Sequence, residues 1–303
     1  MTVGPEDESE QSEDHETDTA FEGDTGPNGV EAIHIPEGGA DEGADRITDH
    51  PVFADGDRVL LIDRKKRRNM IELVAGGEWH SHAGALAHDA IIGQPEGYIA
   101  QSSHGLRVHC IKPTLSDFVL KMPRGAQVIY PKDLGPLLMI ADIYPGVRVL
   151  ESGIGSGALS MAMLRCGADI TGYEIRDDFA RRAQRNVESF LGVDALERYA
   201  IEVRSSYEPI DGEYDRVVLD LPEPWEVVPH AARVLYRGGI IVAYTPQITQ
   251  AAQFRETLEE HGFGMAQTLE VMQRGWHIDG PAVRPDHRMV AHTGFLTSAR
   301  LLS

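Results

Sequence analysis

Three carboxylates and one glycine-rich turn are spaced so that they can act together. The turn is Glu151-Ser152-Gly153-Ile154-Gly155-Ser156-Gly157-Ala158, directly after the apolar run Val147-Arg148-Val149-Leu150. Glycine at 153, 155 and 157 permits a tight turn and lets a ligand approach the backbone closely. Glu174 closes the next apolar run, Asp169-Ile170-Thr171-Gly172-Tyr173, and Asp220 closes Arg216-Val217-Val218-Leu219. Asp220 also opens the loop Asp220-Leu221-Pro222-Glu223-Pro224-Trp225, stiffened by two prolines and followed by an aromatic. A carboxylate at a strand end can accept ribose hydroxyls, hold an ammonium, or stabilise a cation that forms during a reaction.

These groups meet only if the runs before them are neighbouring strands, because the crevice of an open α/β sheet lies at the carboxyl ends of its strands. The pattern from about residue 130 supports this. Strands are predicted at 147–150, 169–173, 201–203, 216–219 and 239–244, and they alternate with amphipathic helices at 160–166, 179–191 and 250–260. Such alternation predicts a Rossmann-like α/β fold, a mainly parallel sheet with helices on both faces.

Upstream, Val59-Leu60-Leu61-Ile62 and Met70-Ile71-Glu72-Leu73-Val74 flank the polar turn Asp63–Asn69, a hairpin signal. The expected organisation is an acidic disordered tail at 1–49, a small β domain at 50–115, a linker helix and connecting segment at 116–135, and the α/β domain at 136–303. The linker helix, at Ser116–Met122, has a Ser or Thr cap.

The turn also discriminates between ligands. Dinucleotide-binding proteins use G-x-G-x-x-G with the pyrophosphate at a helix N-terminus. Here the spacing is G-x-G-x-G, and Glu151 would repel a pyrophosphate while suiting the ammonium of a methionine moiety. Glu174 suits the ribose. The residues therefore favour S-adenosylmethionine over a nicotinamide dinucleotide.

The chain has 303 residues and a formal net charge of -20. Sixteen of its acids but one base, Arg46, fall in residues 1–49, so the remainder is close to neutral. The tail cannot bury enough apolar surface to offset its ordering entropy. Arginine far outnumbers lysine, and an acidic chain of this kind suits a high-salt cytoplasm. No apolar run of membrane-spanning length is present, and the expected location is cytoplasmic. Cys110 and Cys166 form no metal motif and read as reduced thiols. His80, His82 and His88 lack companion ligands at suitable spacing, so no metal is expected.

Several separated motifs, in order, resemble the tRNA (adenine-N1)-methyltransferase family that modifies position 58. They are Ser152–Leu159, Tyr173–Ala180, Asp220–Val227, Gln127-Val128-Ile129-Tyr130-Pro131-Lys132-Asp133, and the tail segments Arg284-Pro285-Asp286-His287-Arg288-Met289 and His292-Thr293-Gly294-Phe295-Leu296. Trp79–Gly84 through Ile91–Gly93 resembles the family's β domain. The resemblance implies methyl transfer to N1 of adenine 58 in the tRNA T-loop, with adenine 57 also modified by some archaeal members, and a homotetramer. It places Ala158, Leu159 and Phe179 with the glycine turn, Glu151, Ser156, Glu174 and Asp220 around the cofactor. Many methyltransferases carry an acid after the third strand, where this chain has Arg204-Ser205-Ser206-Tyr207, and either the Ser206 hydroxyl or backbone groups stand in for it. Tyr130 matches a family tyrosine at the floor of the active site.

Adenine N1 already has a lone pair and becomes cationic as it gains the methyl group, so the expected catalytic residues are Asp220, which stabilises that charge, and Tyr130, which stacks on the flipped base. Arg64-Lys65-Lys66-Arg67-Arg68, at the hairpin turn, suits RNA phosphates. Two rivals remain, a protein isoaspartate repair methyltransferase and a non-catalytic tRNA-binding subunit. The first does not explain the Asp220 loop or the β domain. The second should have lost the glycine turn or the loop acid, and this chain retains both.

Overall fold

The computed structural model describes residues 51–125 and 127–303, and the acidic tail expected at 1–49 lies outside them. The first elements are short strands whose alternating burial packs one face. They are β1 (Arg58–Asp63), β2 (Arg68–Glu72), β3 (Glu78–Ser81), β4 (Gly84–Ala87), β5 (Ile99–Gln101) and β6 (Arg107–Ile111). Four of them form an antiparallel sheet in the order β2-β1-β6-β5, and β3 pairs with β4 alone. The expected hairpin is present, with Val59 opposite Ile71 and Leu61 opposite Asn69. Phe53, Val59, Leu61, Leu73, Leu86 and Ile91 close a core of their own.

Helix α1 (Leu115–Lys121) starts at Thr114, whose hydroxyl caps Asp117 N–H while the Asp117 carboxylate answers to the Thr114 backbone. This capping box satisfies two orphan donors. Asp117 also binds Arg68 of β2 at 2.8 Å, and Phe118 stacks on Phe190 at 4.6 Å, so α1 joins the β layer to the rest of the chain.

Helix α2 (Pro131–Ile140) spans the expected 135/136 boundary, which therefore does not divide two units. Proline is favoured at the first helical position, which here follows Tyr130. Gly135 and Pro136 in its interior weaken the periodic signal, which is why the segment reads as a connection in sequence. Arg216 pins the end of α2, donating from Nε to the Ala141 carbonyl at 2.5 Å and from Nη2 to Asp142 Oδ2 at 2.8 Å.

The remaining elements are β7 (Arg148–Ser152), α3 (Ala158–Arg165), β8 (Asp169–Glu174), α4 (Asp177–Leu191), β9 (Tyr199–Val203), β10 (Tyr214–Leu219), α5 (Val228–Val234), β11 (Leu235–Thr245), α6 (Ile248–Glu260), β12 (Phe263–Glu270), β13 (Trp276–Asp279), β14 (Ala282–Pro285) and β15 (Phe295–Leu301). The seven-stranded sheet runs β12-β15-β11-β10-β7-β8-β9. From β11 to β9 the pairings are parallel, and β15 inserts antiparallel between β11 and β12. The near-continuous apolar runs of β7, β10 and β11 fit strands covered on both faces. One core lies under α2, α3 and α4 and the other under α5 and α6. The order reverses at β7, between β10 and β8, which places a switch-point crevice at the carboxyl ends of these three strands.

Candidate active site

The crevice is built from the glycine turn. Gly153, Gly155 and Gly157 all have positive φ, at 83°, 57° and 83°. Each is suited to glycine for a different reason. A Cβ on Gly153 would press into the Asp220 backbone, one on Gly157 would meet Ala183 at 3.3 Å, and one on Gly155 would meet only the Gly153 carbonyl, at 4.0 Å. Gly157 thus lets α3 pack closely against α4. Ala158 and Leu159 open α3 and are buried.

Glu174 at the end of β8 holds the turn. Its Oε2 accepts from Gly155 N–H at 3.0 Å and its Oε1 from Arg176 N–H at 3.1 Å. Each carboxylate oxygen can accept a second hydrogen bond, the arrangement a ribose diol requires. Phe179, in the first turn of α4, is buried and has the Arg176 guanidinium 3.9 Å from its ring centre, with Arg182 at 5.3 Å.

Glu151 is 1% exposed, and neither of its carboxylate oxygens has a hydrogen-bond partner. Burial pushes its pKa up to about 8; Asp220 and Glu174 add to the rise, and Ser160, close by but outside hydrogen-bonding geometry, opposes it. Asp220 is pushed up to about 7 by burial and then by Glu174. Three carboxylates therefore crowd one crevice, which raises the potential for binding a cation. The hydroxyl of Ser156 is likewise buried without a partner, while the Ser156 carbonyl accepts from Asn186 Nδ2 at 2.9 Å. Unsatisfied buried acceptors beside an open backbone fit S-adenosylmethionine, whose ammonium and sulfonium carry positive charge. Ser206 is buried and accepts from Ser152 Oγ at 2.7 Å, so its hydroxyl is tied to the end of β7.

Asp220 N–H donates to the Ser152 carbonyl at 2.9 Å, continuing the β7–β10 ladder into the loop. Gln250 Nε2 of α6 holds the Pro222 carbonyl at 2.8 Å. Leu221 and Trp225 pack against the core under α5 and α6, so Trp225 anchors the loop.

Tyr130 is half-buried at the start of α2, and its carbonyl accepts from Asp133 N–H at 2.8 Å and Leu134 N–H at 3.1 Å. Tyr244 of β11 lies near it; burial pushes the Tyr244 hydroxyl up to about 12, the Thr293 side chain opposes the rise, and Asp133, Asp220 and Tyr130 add to it. The crevice thus brings together Glu151, Glu174, Asp220 and the turn, with Tyr244 near both Asp220 and Tyr130. Sequence reasoning did not single out Tyr244 or the roles of Lys132, Asp133 and Thr293; the adjacent Lys-Asp pair after Tyr130-Pro131 was the available signal.

The basic turn divides. Arg64, Lys65 and Lys66 are exposed, whereas Arg67 Nη2 pairs with the buried Asp63 at 2.6 Å and Arg68 pairs with Asp117. His88 accepts from Val74 N–H at 3.0 Å through Nδ1, a structural role. Among the described residues no three His, Cys, Asp or Glu side chains are grouped to hold a metal ion, and no helix is long and apolar enough to cross a membrane.

Residues 107–282 match the family described as tRNA methyltransferase complex GCD14 subunit. The chain belongs to this family. Residues 52–100 match the TrmI-like N-terminal family, which falls on the first β layer. The tRNA (adenine(58)-N(1))-methyltransferase TrmI of Thermus thermophilus is 35% identical over 245 residues, covering 80% of this chain and 96% of that protein. The tRNA (adenine(57)-N(1)/adenine(58)-N(1))-methyltransferase TrmI of Methanocaldococcus jannaschii is 35% identical over 234 residues, covering 68% of this chain and 83% of that protein. Among solved structures, a SAM-dependent O-methyltransferase from Thermotoga maritima superposes with a TM-score of 0.79 at 28% identity, covering 83% of this chain and 95% of that one. The fold is that of the SAM-dependent methyltransferases, as the strand–helix alternation predicts.

Proposed function

We propose that this chain is an S-adenosylmethionine-dependent enzyme that methylates N1 of adenine 58 in the T-loop of tRNA, with adenine 57 the position to test as a second acceptor. The observation that carries the reading is Asp220, held beside the glycine turn by the Ser152 carbonyl at 2.9 Å, within a crevice of three carboxylates. The similarity to both TrmI proteins supports the choice of RNA substrate.

Glu174 and the backbone of the turn would hold the ribose, and Glu151 the methionine ammonium. Bound there, S-adenosylmethionine supplies an electrophilic methyl group on a sulfonium. Asp220 faces the base, stabilises positive charge at the adenine as N1 is methylated, and accepts a proton from N6. Tyr130 stacks on the base once it has left the tRNA stack. Arg64, Lys65 and Lys66 contact phosphates. A homotetramer would bring several copies of this basic turn to one tRNA.

Nucleoside mass spectrometry of tRNA incubated with the pure protein and S-adenosylmethionine tests the reading. We expect N1-methyladenosine, mapped to position 58 or to 57 and 58. Methyl transfer to aged peptide or to a hydroxyl, with none to tRNA, overturns it. Sedimentation at micromolar protein tests the tetramer.

A further inference from the structure

A single ammonium links the start of α2 to both ends of a C-terminal excursion. Lys132 Nζ donates to Asp133 Oδ1 at 2.8 Å, to the Val271 carbonyl at 2.6 Å and to Thr293 Oγ1 at 2.6 Å. Its three donors are thereby used. Thr293 Oγ1 donates in turn to Asp133 Oδ2 at 2.6 Å, which closes a ring of lysine, hydroxyl and carboxylate. The Lys132 and Asp133 side chains are 3% and 0% exposed.

Val271 and Thr293 are the two feet of the segment that carries β13 and β14, whose neck is closed by Gln273 N–H donating to the Val290 carbonyl at 3.3 Å. The other partner is the first turn of α2. Asp133 supplies both the buried carboxylate and the N–H that binds the Tyr130 carbonyl. Arg216 fixes the far end of α2, so the helix is held at both ends. Tyr244 lies near both Thr293 and Asp220, and Gly294, next to Thr293, makes room for it; a Cβ there would press into the Tyr244 ring.

A buried ion pair adds little net stability compared with apolar side chains of the same volume, because both charges must be stripped of water. Its distinctive effect is geometric, since every donor and acceptor must find its partner. This pair lies where geometry matters, one residue from Pro131 and two from Tyr130.

We propose that Lys132, Asp133 and Thr293 form a positioning unit that holds Tyr130 and the feet of the C-terminal segment in place opposite Asp220, so that the target base is received between fixed walls. None of the three touches the reacting atoms. The kinetic part of the test rests on the tRNA methyl-transfer reading, and the exchange part does not.

Thr293→Val removes the hydroxyl at nearly constant shape, leaving Lys132 one acceptor short and Asp133 Oδ2 without its donor. Thr293→Ser restores both. Hydrogen exchange on the full chain without RNA should quicken at residues 130–134 and 271–293 together in Thr293→Val and return to the parental pattern in Thr293→Ser. Single-turnover methyl transfer with tRNA and S-adenosylmethionine saturating should slow roughly ten- to hundred-fold in Thr293→Val, the scale of a misplacement by about an ångström. The dissociation constant for S-adenosylmethionine should stay within about twofold of the parent, since the glycine turn is untouched. Thr293→Ala, whose smaller side chain leaves room for a water, replaces Thr293→Val if the latter does not fold. Parental exchange at 130–134 in the valine variant, or a loss of cofactor affinity equal to the loss of rate, overturns the proposal. If the parent itself methylates no tRNA, the exchange pattern still decides the positioning unit.

Discussion

Gly153 and Asp220 are in contact through their backbones: a side chain on Gly153 would lie within 2.9 Å of the Asp220 carbonyl carbon, with the carbonyl oxygen nearer still. The glycine turn and the Asp220 loop, to which we assign the cofactor and the base, are therefore one packed unit. Gly153→Ala should damage both. A positive φ costs a non-glycine residue about 1–2 kcal/mol, and overlap with fixed backbone adds about 1–3 kcal/mol. We expect a melting temperature lower by on the order of 10 °C and loss of both cofactor binding and methyl transfer. Gly155→Ala makes only an ordinary contact with the Gly153 carbonyl and bears only the backbone strain. Equal losses of stability in the two variants, measured by thermal unfolding, would show that the contact with Asp220 is not the cause.

Glu174 organises the turn through Gly155 and Arg176 before any ligand arrives. Glu174→Ala should weaken S-adenosylmethionine binding by about 1.5–3 kcal/mol, the cost of losing hydrogen bonds to a charged group. Titration calorimetry reads it. Unchanged affinity would move the ribose elsewhere.

The carboxylate cluster gives cofactor binding a pH dependence of definite sign. Glu151 and Asp220 have pKa values raised to about 8 and about 7, so without ligand they hold protons near neutrality. A cationic ligand favours the ionised forms and expels those protons, so affinity should rise with pH through this range. The useful window is about pH 6 to 7.5, below the titration of the ligand's own amino group. The same shifts make the ligand-free protein lose stability as pH rises from the ordinary carboxylate range through about 8, because the folded state holds protons that the unfolded chain releases. Calorimetry in buffers of different ionisation enthalpy should register proton release. Proton uptake, or equal affinity at both ends of the window, would contradict it.

How much of this was readable in sequence differs from residue to residue. The glycine turn and the acids at the ends of β7, β8 and β10 were legible because strand periodicity fixes where a strand ends and the crevice lies beyond it. Helix α2 was not, since Gly135 and Pro136 mimic a break that its packing overrides. The Lys132–Asp133–Thr293 ring was only half legible: the adjacent Lys-Asp pair after Tyr130-Pro131 is a local signal, but Thr293 is 161 residues from Lys132 and nothing local marks these charges as buried. Arg67 and Arg68 looked like the three bases before them. Only the folded positions of Asp63 and Asp117 show that these two serve the fold.

That division of the basic turn predicts two kinds of variant. Replacing Arg64, Lys65 and Lys66 together with Gln should leave thermal stability unchanged and weaken tRNA binding. The slope of log affinity against log salt should become shallower by about 2–3, at roughly 0.7–0.9 for each phosphate no longer neutralised. Arg67→Gln should instead lower stability, because it leaves the buried Asp63 carboxylate without its cation. A salt slope unaffected by the triple replacement would remove this turn from the RNA interface.

The last prediction concerns Asp220 itself. The methylated adenine is cationic, and the base needs an acceptor near N6 to return to neutrality. Asp220→Asn keeps the size and the backbone of the loop, whose position is set by Ser152, Gln250 and the packing of Leu221 and Trp225. It removes the charge. Loss of one preorganised electrostatic partner typically lowers the rate by on the order of 10²–10³, and that is the expected fall in single-turnover transfer with both substrates saturating. Asp220→Ala should be slower still, since the amino group then has no acceptor. The pH profile provides a second reading. In the parent, kcat/KM for tRNA, measured with S-adenosylmethionine saturating so that Glu151 is already ionised, should fall as pH drops through about 7, the range in which Asp220 takes up a proton. In the Asn variant that limb should vanish and leave a low rate across the range. An Asn variant that transfers methyl at near the parental rate and keeps the acid limb would assign that limb to another group and reduce Asp220 to a scaffold for the loop.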